Sequence, residues 1–184
     1  TGKMSKEKGL DNFLKVAAAL QKELPQLKVR TLLAGRAPEG DDYNHLENLI
    51  KTYRLENIEF TPPVPFERFT SVFSEAHFCF DLRDITLENH HCLPIKLFYY
   101  MAAGKPVIYS DLKATREHVN VSEFGHLVDP NDTAQIVGIL KNYVENPALY
   151  TQHALRAAEV YETDYNWNLI KQDFVNFVAR FLPA

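Results

Sequence analysis

The sequence predicts an α/β fold of the doubly wound, Rossmann-like kind, a parallel sheet with helices on both faces. Short β-branched or aromatic runs alternate along the chain with longer segments whose apolar residues recur at helical spacing. Several short runs are apolar with few charges, as strands covered on both faces are. Helical segments of this length between them suit the right-handed crossovers that parallel pairing requires.

The elements follow in order. Leu10, Phe13, Leu14, Ala17, Leu20 and Leu24 share one helical face, and Pro25 closes that helix. Residues 29–35 read as a buried strand ending at Gly35, followed by a loop over 36–40. Asp41 or Asp42 can cap a helix that turns Tyr43, Leu46, Leu49, Ile50 and Tyr53 inward, and 58–61 is the next strand. Phe66, Phe69, Val72 and Phe73 give a short amphipathic helix, 77–82 a strand, and 83–92 a long polar loop. Pro94 suits the first turn of a helix over 95–103, Gly104 ends it, and 106–110 is a strand. A short helix near 116–119, a strand over 125–128, and helices over 132–145, 147–161 and 168–182 complete the chain. Trp167 and the Phe-rich last helix, with Ile170, Phe174, Phe177 and Phe181 in register, are expected in the core. In such a fold ligands lie at the carboxyl ends of the strands, here residues 1–9, 35–40, 61–66, 83–92 and 110–113.

Composition narrows the function. The chain has 184 residues, a net charge of −4, 46% apolar and 24% charged residues, which suits one soluble globular domain. An acidic balance without a basic run argues against nucleic acid as partner. A transmembrane run and a signal-peptide pattern are both missing, so the cytoplasm is the expected compartment, with peripheral membrane contact still open. Cys79 and Cys92 fit neither a disulfide framework nor paired metal spacing, and are read as reduced. His90, His91, Cys92 and Glu88 lack a second ligand pair at tetrahedral spacing, so no metal is expected.

The stretch of Pro94, Lys96, Tyr100, Met101, Ala102, Gly104, Pro106, Val107 and Ile108 resembles the "PxKxxEYMAxGxPVI" segment of the retaining glycosyltransferases of family four (group 1), which have the GT-B fold of two Rossmann-like domains. Other places agree in order. Gly2-Lys3 with Lys8-Gly9 is similar to "GR…KG", and Phe60 to Val64 falls where "xFxGxV" is expected. Gly125, Leu127, Val128 and Pro130 resemble "GxLVxP", and Trp167 matches a tryptophan near the chain end. The resemblance implies that residues 1–184 are the C-terminal, donor-binding half of a longer enzyme, with the first strand of this domain and an acceptor-binding domain upstream.

It also implies roles. Lys3 and Lys8 would contact the diphosphate of a nucleotide sugar, although both could be solvated lysines of a basic N-terminus. Lys96, one turn into its helix, would be near phosphate. Val64, with the backbone of Pro62 and Pro63, would meet the base. The family's paired glutamates fall at His91 and Tyr99, neither of them acidic, so the ribose contact must differ. His91 could donate to sugar or phosphate, and Glu88 could replace the lost carboxylate, or both could be ordinary loop residues. Tyr99 is expected to face the nucleotide. Arg83 is placed for a ligand at a strand end, or to pair with Asp84. The implied activity is hexose transfer with retention from a nucleotide diphosphate sugar to a glycan or lipid, with no catalytic side chain assigned in this domain and no metal required. A nucleotide-sugar epimerase and a non-catalytic sugar-nucleotide-binding module are the alternatives.

Overall fold

The computed structural model describes residues 4–36 and 40–181. A 3-10 turn, Lys6–Lys8, leads through Gly9 into α1, Leu10–Glu23. Then come β1, Thr31–Ala34; α2, Asp41–Tyr53; β2, Ile58–Thr61; and a 3-10 segment, Phe66–Phe73. β3 is Cys79–Asp81, α3 Leu87–His90, α4 Lys96–Ala102 and β4 Val107–Ser110. α5, Lys113–His118, and a 3-10 turn, Val121–Glu123, precede β5, Gly125–Val128. α6, Thr133–Glu145, α7, Pro147–Val160, a π turn, Tyr161–Tyr165, and α8, Trp167–Ala179, complete the described chain.

All strand pairs are parallel, as expected, but they form two sheets. β1 pairs with β2, and β3-β4-β5 stand together. The three-stranded sheet is covered on both faces in strict alternation. Cys79, Val107 and Tyr109 pack with Leu97, Met101, Ala157 and Val160 of α4 and α7. Ile108 and Val128 pack oppositely, with Val16 of α1 and Ile136 and Leu140 of α6. α1 also serves the other sheet, where Leu10 and Leu14 meet Leu33 and Leu46. It therefore bridges the two.

Local chemistry explains several boundaries. The Asp132 side chain accepts from the Gln135 N–H at 2.9 Å to start α6, and Asn146 caps α7 with Pro147 in the first turn. Gly125 is required because a Cβ there would stand 2.3 Å from the Val107 carbonyl oxygen. The sequence expectation is corrected at four places. The first strand begins at Thr31 rather than 29. The segment at 66–73 winds as 3-10, and the 83–92 loop contains the short helix α3, whose first turn is capped by Thr86. The last correction is the largest: α8 has no buried residue, and Trp167, Phe174 and Phe177 are 53%, 54% and 57% exposed. Its apolar stripe is present, but nothing in the described residues covers it.

Candidate functional site

The site is built where α1 starts against the end of β3. Gly9 has φ 77°, and a Cβ there would lie 2.3 Å from the Leu82 carbonyl carbon and 2.5 Å from the Arg83 nitrogen. Only glycine lets the turn before α1 touch this peptide. Asn12, one turn into the helix, ties the same place by donating to the Leu82 carbonyl and the Asp84 carboxylate, both at 2.9 Å.

Asp81, the last residue of β3, is the centre of a buried charge cluster. Arg83 forks onto it, Nε to Oδ1 at 2.8 Å and Nη2 to Oδ2 at 2.7 Å, and the Lys96 ammonium lies 3.1 Å from Oδ2. The side chains are 1%, 4% and 16% exposed in the order Asp81, Arg83, Lys96. Arg83 Nη1 turns to the Cys92 sulfur at 3.3 Å, and the Ser110 hydroxyl donates to the Arg83 carbonyl at 2.6 Å. Burial pushes the Asp81 carboxyl up, but the Arg83 hydrogen bonds and the Lys96 and Arg83 charges outweigh it and hold it below its ordinary value. One carboxylate faces two cations, so the cluster carries one excess positive charge, and Lys96 is its more exposed cation. That is chemistry for an anion.

Lys3 lies outside the described residues. Lys8 is exposed on the first 3-10 turn. Lys8 and Lys96 border one cavity of about 690 Å3 that runs between β1 and β3, so the structure brings these two together. Val64, Glu88, His91 and Tyr99 do not line it. Val64 is half-buried in the loop after β2, and Glu88 and His91 are exposed at α3. His90, rather than His91, makes the loop's link to α5, its Nδ1 accepting from the Lys113 N–H at 3.1 Å.

Two expectations are corrected by this geometry. Arg83 pairs with Asp81, not Asp84, and its guanidinium is consumed by Asp81 and Cys92 in a buried setting, which makes it a support for the site. Tyr99 does not stand clear of the core: it is half-buried, with its ring edge-on to Phe69 at 4.9 Å between centroids. Its neighbours on α4, Leu97, Tyr100 and Met101, are all buried, which draws this short helix into the core.

Asp81, Asn12 and Ser110 are the site residues that sequence reasoning missed. The signal was an aspartate inside an apolar strand two positions before an arginine, and an asparagine on the inward face of an otherwise apolar helix. Both patterns mark buried polar groups that need partners. Among the described residues there is no group of three or more His, Cys, Asp or Glu side chains placed to hold a metal.

The comparisons agree with this architecture. A glycosyltransferase of Methanocaldococcus jannaschii, described as uncharacterized, is 25% identical over 183 residues, covering 97% of this chain and 44% of its own length. Sucrose-phosphate synthase of Thermosynechococcus elongatus superposes with a TM-score of 0.79 at 20% identity, over 98% of this chain and 44% of that one. Anabaena HepE, in a complex with UDP and glucose, superposes with a TM-score of 0.80 at 18% identity, over 97% and 47% of the two chains. The chain thus spans a little under half the length of these proteins. At the sequence level the family model described as "Glycosyl transferases group 1" matches residues 1–146, most of the chain and every strand among the described residues, and to that family the chain belongs.

Proposed function

We propose that this chain is the donor-binding half of a GT-B glycosyltransferase, holding a nucleoside diphosphate sugar at the carboxyl ends of its strands. The observation that carries the reading is the excess positive charge of the Asp81–Arg83–Lys96 cluster, with Lys8 at the border of the same cavity. Lys8 and Lys96 contact the diphosphate, and their charges gain most as the leaving group becomes anionic, which is where electrostatic stabilisation accelerates transfer. Asp81 fixes Lys96, and Arg83 fixes Asp81. The UDP and glucose bound to the structurally similar Anabaena protein support this choice of ligand class. Hexose transfer with retention, without a metal, to a glycan or lipid hydroxyl is the reaction that the sequence resemblance supports. The donor phosphate takes the acceptor proton, and the acceptor is presented by a domain upstream. Val64, Glu88 and His91 then belong to the base, ribose and sugar contacts of the closed complex.

A second reading has one specific observation in its favour. His91 and Tyr99 stand where the family carries carboxylates, and this suits a module that binds the nucleotide sugar without turning it over. Calorimetry with UDP, GDP and ADP tests the common part of both readings. Lys8→Ala is expected to weaken the preferred diphosphate by roughly 1.5 to 3 kcal/mol, the range for a hydrogen bond to a charged group. Unchanged affinity moves the phosphate away from this turn. Release of free nucleoside diphosphate by the longer polypeptide, with the sugar moved to an acceptor, separates transferase from module.

A further inference from the structure

Asp84, just past the end of β3, is exposed, yet it is held as firmly as a buried residue. Asn12, 5% exposed on the first turn of α1, donates its side-chain amide to the Leu82 carbonyl and to Asp84 Oδ1, each at 2.9 Å. The Asp84 carbonyl accepts from the Asn89 side chain at 2.8 Å and from the Thr86 N–H at 3.1 Å. Ser110, at the end of β4, holds the preceding carbonyl at 2.6 Å. Arg83, its chain neighbour, and Lys96 both turn to Asp81 instead. Asp84 Oδ2 therefore has no hydrogen bond or ion pair among the described residues.

We propose that Asp84 Oδ2 accepts a hydrogen bond from a hydroxyl of the donor's hexose, with Asn12 as the positioning residue that fixes the carboxylate in advance. The inference rests on the nucleotide-sugar reading. An ionised carboxylate only accepts, and phosphate oxygens repel it, so the part of a nucleotide sugar that it can meet is a hydroxyl. Ribose and hexose lie on opposite sides of the diphosphate. With the base at Val64 after β2, and the diphosphate at Lys8 and Lys96 on the cavity between β1 and β3, the ribose falls toward β1 and the hexose falls past β3 toward β4. Asp84 stands on the second side: its carbonyl is tied to Asn89 of α3, and His90 of α3 accepts from the Lys113 N–H after β4. A buried asparagine that orients an exposed carboxylate is preorganisation, since the oxygen then loses little freedom when a hydroxyl arrives.

The test is calorimetry with three pairs, UDP and UDP-glucose, GDP and GDP-mannose, ADP and ADP-glucose, in EDTA and again with Mg2+. The quantity read is the ratio of affinity for the sugar nucleotide to affinity for its own diphosphate. Asp84→Asn keeps the oxygen that Asn12 needs and removes the charge, and Asp84→Ala removes both. Each is expected to lower the ratio about tenfold or more for the best-bound pair, with diphosphate affinity held within about twofold. Asn12→Ser is expected to lower the same ratio, and the Asn12→Ser, Asp84→Asn double variant to lose no more than Asp84→Asn alone. Additive losses overturn the positioning role of Asn12. An unchanged ratio in both Asp84 variants overturns the hexose contact. So does an equal loss of diphosphate and sugar nucleotide, which moves the contact to the ribose, and so does a loss seen only with Mg2+, which makes the carboxylate a cation ligand. A parent chain that binds the diphosphates but none of the sugar nucleotides overturns it as well. A parent chain that binds no diphosphate overturns the nucleotide-sugar reading itself, and this inference with it.

Discussion

At position 81 burial favours a neutral carboxyl, yet the Arg83 fork and the Lys96 ammonium keep it ionised. The pair is therefore expensive to break from one side. Arg83→Met leaves a carboxylate with almost no exposure and one remaining cation, and should lower unfolding free energy by about 3 to 5 kcal/mol in urea denaturation. Lys96 has a different balance, because it is the most exposed member and the one that borders the cavity. Lys96→Met is expected to cost less stability than Arg83→Met and more nucleotide affinity, at least tenfold by calorimetry with UDP. The reverse ordering would make Lys96 the support and Arg83 the ligand contact. Because the folded carboxyl lies below its ordinary value, its contribution is complete above about pH 4 and is lost as pH falls through the folded value.

Elements show both the reach of the sequence and its limit. The alternation of strand and helix was legible because strands covered on both faces must be apolar throughout, as Val107–Ser110, buried at every position, illustrates. Lys8 and Lys96 were legible from motif and position as candidates for one site, and the structure sets both at the border of the same cavity. Arg83 was not legible as a support, since spacing cannot tell which of two aspartates, Asp81 or Asp84, faces inward after a strand only three residues long. α8 fails for another reason: a stripe at helical spacing says that a face can be covered, not what covers it. Phe177→Ser should therefore change the stability of this chain by no more than about 0.5 kcal/mol, as at other exposed positions. A loss of several kcal/mol in the same urea assay would place α8 in the core after all. Gly9→Ala is the opposite case. Positive φ and a 2.3 Å approach to backbone leave no room to relax, so a loss above about 4 kcal/mol is expected by chemical denaturation.

On the scale of the whole molecule, one polar cluster joins three elements away from the ligand end. His126 on β5, Tyr143 on α6 and His153 on α7 stand with ring centroids 5.6 to 5.9 Å apart, and the Tyr143 hydroxyl is 2.6 Å from His153 Nδ1. Burial raises the Tyr143 pKa, so the phenol keeps its proton and donates it to a neutral imidazole. Burial lowers the pKa of both histidines, and for His126 the neighbouring His153 adds to it. A base whose folded pKa is depressed binds its proton more readily in the unfolded chain. The unfolded state thus takes up more protons as pH falls below about 6.5, and stability rises with pH through that window. The melting temperature should be steady above pH 7 and should decline between about pH 6.5 and 5, before the carboxylates titrate. A His126→Gln, His153→Gln double variant removes both titrating rings while keeping an acceptor for Tyr143. It is expected to melt with a flatter profile across that window, and a decline as steep as that of the parent chain would assign the pH dependence to other groups.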